Sequence, residues 1–165
     1  MLKRCSLLAV LATVLLSYSV VRSDEAEEKK FKPLCPVSGK EALETESVAY
    51  KEAKVYFCCP NCPKAFEKDT AKFAAKANHQ LVGTQQYKEV KCPLTGRQLN
   101  PDTAIEVSGV EVAFCCNNCK GKAEKAEGDE QIALIFSDAN FKKGYEKADK
   151  EKKKLKFNFR RNDEN

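Results

Sequence analysis

Four cysteines, Cys35, Cys58, Cys59 and Cys62, recur 57 residues further on as Cys92, Cys115, Cys116 and Cys119, with nothing inserted or lost between them. The first set is framed by CPVSGK and VYFCCPNC, the second by CPLTGR and VAFCCNNC. A duplication that holds four thiols in register while most other positions drift implies that the four act together, as a metal site, a disulfide pair or a redox centre. The repeat also sets the size of the folding problem. It divides a chain of 165 residues into two related units of roughly 45 to 55 residues, a size at which a core alone is marginal and crosslinks or metals are often required.

The ends of the chain read differently from its middle. Residues 1–23 have a basic start (Lys3, Arg4), an apolar run from Leu7 to Val21 and small residues ahead of Asp24. That is the pattern of a cleaved secretory signal, and the run of about 15 residues is shorter than the roughly 20 that a membrane span needs. The expected location is therefore secreted or periplasmic, with Cys5 leaving with the signal and no integral membrane segment remaining. Of 29 basic residues, Lys3, Arg4 and Arg22 lie in this segment, so residues 24–165 carry 26 bases against 24 acids. A nearly balanced charge removes the electrostatic case for nucleic-acid binding. Residues 24–33 (DEAEEKKFKP) are charged and almost without apolar side chains, as a flexible leader would be. Residues 137–165 are Lys-rich, and are read as a basic helical tail that would be the obvious contact for a protein partner.

Between the ends, each unit reads as a hairpin followed by a helix. Val48 and Tyr50, then Val55 and Phe57, give two short strands around Lys51-Glu52-Ala53-Lys54, the second running into Cys58. Ile105 and Val107, a Ser108-Gly109 turn, then Val110, Val112 and Phe114 repeat the arrangement, with better turn chemistry because Gly109 tolerates positive φ. After Cys62, Asn61 is placed as a cap, Pro63 in the first turn, and Phe66, Phe73 and Ala77 on one face of a helix. In the second unit Ala123 replaces Phe66 and Gly128 interrupts, predicting a shorter helix followed by another near Glu130 to Phe136. Phe141, Tyr145 and Ala148 suggest a last amphipathic helix begun at Ser137 or Asp138, and Phe157 and Phe159 a short strand or ordered tail. The only histidine, His79, reads as a surface or packing residue, since the second unit has Phe136 in its place.

Hairpin and helix packed together bring the turn holding Cys35 or Cys92 beside the strand-to-helix junction that holds the other three thiols. Four thiolates suit Zn²⁺, Cu(I) and heavier soft ions, and complete a tetrahedron without water. Cys59-x-x-Cys62 has the spacing of a zinc knuckle, whereas Cys58 and Cys62 are one helical turn apart. Both pairs can chelate, which leaves open whether Cys58 or Cys59 is the essential third ligand.

Cys35-x22-Cys58-x3-Cys62 and Cys92-x22-Cys115-x3-Cys119 resemble the TRASH and YHS group of small metal-binding domains, most closely in KVYFCCPNCPKAFEKDTAKF. The resemblance implies treble-clef-like units associated with heavy-metal sensing, trafficking or resistance. Carried over, the family's ligands would be Cys35, Cys58 and Cys62, then Cys92, Cys115 and Cys119, and the doubled Cys58-Cys59 and Cys115-Cys116 add a fourth thiol to that three-cysteine pattern.

The sequence thus predicts a small α+β protein: two tandem treble-clef-like units, residues 34–80 and 90–136, each a hairpin plus helix around a Cys cluster, then the helical tail. Its expected function is non-enzymatic, holding about one Zn²⁺ or Cu(I) per repeat through all eight thiols, for metal capture and trafficking or as a zinc-stabilised interaction module. The competing readings are a disulfide-stapled secreted module and a thiol oxidoreductase built on Cys59-Pro60-Asn61-Cys62. Pairing Cys35 with Cys58, Cys59 or Cys62 is geometrically plausible, but the two thiols left over are neighbours or one turn apart, which makes a poor staple. The units also lack room for the βαβ start of a thioredoxin-like fold, and an adjacent third cysteine would scramble a dithiol.

Overall fold

A computed structural model of the chain describes residues 32–148. The predicted signal, most of the leader, Phe157, Phe159 and the distal basic tail lie outside these residues. In chain order the elements are β1 (Leu43–Tyr50), β2 (Ala53–Phe57), α1 (Asn61–Lys68), α2 (Thr70–Gly83), β3 (Tyr87–Glu89), β4 (Asn100–Val107), β5 (Val110–Phe114), α3 (Asn117–Glu124), α4 (Gly128–Phe136), α5 (Asp138–Gly144) and β6 (Tyr145–Lys147). This is a small α+β fold of five helices and three two-stranded antiparallel sheets, β1-β2, β3-β6 and β4-β5.

The two hairpins are copies down to their register. Val48 faces Val55 and Tyr50 faces Ala53; 57 residues on, Ile105 faces Val112 and Val107 faces Val110. Each carries the same irregularity, between Leu43 and Ser47 and between Asn100 and Ile105. Alternation with period two buries Val55 and Phe57 in one and Val110, Val112 and Phe114 in the other. Both turns are two-residue loops with both central residues in the left-handed region: Lys51 and Glu52 at φ 48° and 58°, Ser108 and Gly109 at 47° and 84°. The first hairpin therefore turns on Lys51-Glu52 alone, with Ala53 already in the strand.

The single helix expected after Cys62 is two. Asp69 leaves the helical region (φ −144°, ψ 68°) and its carboxylate accepts the Lys72 N–H at 3.2 Å, ending α1 and capping α2. Phe66 is buried and Phe73 half-buried. Asn61 does not cap; α1 begins at Asn61 itself, with Pro60 before it. The Cys62 N–H in the first turn of α1 donates to the Cys59 carbonyl at 3.2 Å. The second unit breaks in the same place, giving α3 of 8 residues and α4 of 9, against 8 and 14 in the first.

The last amphipathic helix is shorter than expected. It ends at Gly144, and Tyr145 is extended, opening a strand that pairs with β3 (Glu89 with Tyr145, Tyr87 with Lys147). Backbone contact decides this. The Gly144 carbonyl accepts N–H groups of Val90 at 2.8 Å and Lys91 at 3.1 Å, and a Cβ on Gly144 would lie 2.8 Å from the Lys91 oxygen and the Pro93 Cα.

One core spans both units: Val55, Phe57, Phe66 and Leu81 from the first join Val112, Phe114, Ile135 and Phe136 from the second. Each fully buried large apolar side chain contributes about 1.5 to 3 kcal/mol. The units meet where α2 packs on α4. There His79 and Phe136, which occupy the same position in the two repeats, stack edge to face with ring centroids 5.0 Å apart. His79 is accordingly a buried packing residue, and its Nε2 lies 3.0 Å from the Val107 carbonyl. Its neighbours Asn78 and Gln80 are buried as well. Asn78 Nδ2 donates to the Phe136 carbonyl at 2.8 Å and to Asp138 at 2.9 Å. Gln80 donates to the carbonyls of Leu34 and Tyr56 and accepts the Tyr56 N–H, tying α2 to β2 and to the residue before Cys35. Among the described residues no helix is long and apolar enough to cross a membrane.

Candidate metal centre

Each cluster is assembled from two backbone devices. The first is the turn Cys-Pro-x-Ser/Thr-Gly. Gly39 at φ 72° lets its N–H reach the Cys35 carbonyl at 2.8 Å while the Cys35 N–H donates to Lys40 O at 2.7 Å; Gly96 at φ 73° does the same around Cys92. The second is the junction at which β2 or β5 runs out into the paired cysteines and a helix begins. Gln80 links the two devices in the first unit, and the contacts of Gly144 with Val90 and Lys91 secure the approach to Cys92 in the second.

The sulfurs of Cys35, Cys58 and Cys62 all lie within 4.8 Å of one another, as do those of Cys92, Cys115 and Cys119. Cys58 and Cys62 are 3.7 Å apart, and so are Cys115 and Cys119. Four sulfurs bound tetrahedrally at about 2.3 Å from Zn²⁺ would be about 3.8 Å apart, so these pairs already have the spacing of a thiolate site. Cys59 stands at the edge of its triad, 3.4 Å from Cys62, and Cys116 at the edge of the other, 3.8 Å from Cys115. Of the four thiols read from the sequence in each unit, three form the mutually close group and the fourth touches it. Cys35, Cys62, Cys92 and Cys119 are buried, the other four half-buried, and all eight are free thiols.

The surroundings divide the thiols by charge. Burial pushes Cys35 up, but the Ser38 hydroxyl and the N–H groups of Ser38, Cys58 and Val37 outweigh it and bring the thiol down to about 7. Cys92 reaches about 7 in the same way, with burial overcome by the Thr95 hydroxyl and the N–H groups of Cys115, Thr95 and Leu94. Cys59 is lowered, first by the Asn61 N–H, and Cys116 first by the Cys119 N–H. Cys62 is driven well above the usual thiol range by burial and by the sulfurs of Cys59, Cys58 and Cys35 around it, and Cys119 is pushed up to about 12 by burial and by Cys115 and Cys92. Such a cluster cannot ionise throughout on its own. A soft cation held by Cys35, Cys58 and Cys62, or by Cys92, Cys115 and Cys119, would supply the missing charge and displace the remaining protons.

Sequence reasoning passed over the hydroxyls. Ser38 Oγ lies 3.1 Å from Cys58 Sγ and Thr95 Oγ1 3.2 Å from Cys115 Sγ, each also accepting an N–H two residues on. The signal was present in the repeat itself, since CPVSGK and CPLTGR keep a hydroxyl at one position. Also unread was Glu89, which stands where the first unit has exposed Lys32. Its Oε2 accepts the Ala113 N–H at 2.9 Å, while Oε1 and the Tyr145 hydroxyl are buried. Burial, with the charges of Cys92 and Glu111, raises Glu89 to about 8 against the opposing Ala113 N–H. The two centres therefore share a sulfur arrangement and differ in what lies behind it.

No protein-family model, curated protein or solved structure matches the chain.

Proposed function

We propose that the protein is an exported, non-enzymatic holder of soft metal ions, one ion in each cysteine cluster, with Zn²⁺ or Cu(I) as cargo and metal capture and trafficking as its role. The observation that carries this reading is the pair of sulfur triads, each within 4.8 Å, built twice by the same turn and the same strand-to-helix junction. The triads match the ligands implied by the resemblance to TRASH and YHS domains. Soft sulfur donors, N–H groups pointing at sulfur and a cluster that cannot ionise without a cation all suit a soft ion. Export rests on the sequence of residues 1–23. Capture is favoured over a zinc-stabilised interaction module because Cys58, Cys59, Cys115 and Cys116 are half-buried, which leaves one side of each cluster open to exchange.

Cobalt(II) titration of the reduced chain tests the reading. Two ions bound with intense sulfur-to-metal charge-transfer absorption are expected, and Cys62→Ser and Cys119→Ser should each remove one. Absence of that absorption in the reduced wild-type chain would refute the proposal.

A further inference from the structure

Each unit holds one more thiol than its triad contains, at the same position of the repeat in both and in contact with the triad in both. Cys59 lies outside the group of mutually close sulfurs yet in contact with its buried member Cys62, at 3.4 Å. Cys116, its equivalent in the repeat, also lies outside its triad and touches it through the half-buried Cys115, at 3.8 Å. The backbone under each is fixed where the helix begins, the Cys59 carbonyl accepting the Cys62 N–H at 3.2 Å and the Cys116 carbonyl those of Cys119 and Lys120 at 3.1 Å. Both are half-buried, while two members of each triad are buried. The flanking residues have drifted from Pro60-Asn61 to Asn117-Asn118, but the doubled cysteine has not.

We infer that Cys59 and Cys116 are exchange ligands: they take a soft metal ion from the thiolate or thioether of an incoming carrier, pass it to the triad, and reverse the passage on release. This rests on the metal-holding function proposed above and assigns the fourth thiol a role within it. An ion held by three sulfurs, two of them buried, offers an acceptor little room to displace all its bonds at once. A thiol in contact with the triad lets transfer proceed one bond at a time. As the ion arrives, a metal–sulfur bond to Cys59 forms and one to the carrier breaks, and the Cys59 proton passes to solvent. Bonds to the triad then form as that to Cys59 and any remaining bonds to the carrier break; the triad thiols give up their protons, Cys59 takes one, the rest pass to solvent, and a released carrier thiolate is reprotonated from solvent. The ion keeps its oxidation state throughout.

The test uses the chain from Asp24 to Asn165, loaded with Zn²⁺, and follows transfer to the chromophoric chelator pyridylazoresorcinol in wild type and in the double variant Cys59→Ser, Cys116→Ser. Ion count is read by native mass spectrometry. Cu(I) with bicinchoninate gives a second ion and probe. The expected result is that the double variant keeps two ions and releases them about tenfold or more slowly, whereas Cys58→Ser with Cys115→Ser loses them. A double variant that loses its ions or releases them faster makes Cys59 and Cys116 permanent fourth ligands, and overturns the inference while leaving metal holding intact. Unchanged release makes them bystanders and also overturns it. Wild type that takes up neither ion removes the metal-holding function itself, and the inference with it.

Discussion

Two residues other than the cysteines show how closely the elements are fitted. Gly144 has its carbonyl on Val90 and Lys91 and no space for a Cβ, which would meet the backbone of Lys91 and Pro93 at 2.8 Å. Gly144→Ala should therefore cost about 1 to 3 kcal/mol by forcing α5 away from the residues before Cys92, the usual range for overpacking. A thermal melt that does not move would contradict the fit. Burial lowers the pKa at which the His79 ring takes up a proton, against the Val107 carbonyl. The unfolded chain takes up that proton below about pH 6.5, so the stability tied to His79 is full above that value and is lost as pH falls through it. His79→Phe copies the residue at the same position of the other repeat. Denaturant midpoints taken from about pH 7.5 down to about pH 5 should show the variant gaining on wild type as the medium is acidified. A constant difference would mean that His79 does not titrate on unfolding.

At the level of elements, the hairpins were legible because two independent signals agreed, alternation of apolar residues and repetition of that alternation 57 residues later. The Cys clusters followed, since a strand running into paired cysteines leaves little freedom in where the sulfurs go. The break at Asp69 was hidden because Phe66, Phe73 and Ala77 fall at helical spacing across it, and only the capping preference of Asp69 opposes a continuous helix. The pairing of β3 with β6 was hidden for a different reason: three-residue strands have no periodicity, and their partner lies far away in sequence. Turn chemistry gives the prediction at this scale. Glu52 sits at φ 58° where the second hairpin has Gly109, and its ion pair with Lys147, 3.3 Å long and exposed, contributes little. Glu52→Gly should stabilise the protein by about 0.5 to 1 kcal/mol. A lowered melting temperature would show that the exposed pair matters more than backbone strain.

Taken whole, the molecule is two copies of one hairpin-and-helix unit, each carrying a cysteine cluster, that share a core. Asn78 and His79 reach across to the other unit, while Gln80 beside them binds Leu34 and Tyr56 of its own. All three are buried, and each finds a carbonyl, Asn78 and His79 on the other unit and Gln80 on the adjoining strand and turn. No pattern within one unit announces its partner, so the packing of the two lay beyond what the sequence reading could supply. The cysteines carry the central claim, that two sulfur clusters hold two ions. The most direct measurement is native mass spectrometry of the chain from Asp24 to Asn165 recovered from an exporting host, followed by the denatured mass of the same sample. Two retained ions, with all eight thiols reduced in the denatured mass, are predicted, and the mass of the ion chooses between zinc and copper. No ion, together with a denatured mass short by the eight hydrogens of those thiols, would contradict the account and make the clusters disulfide staples.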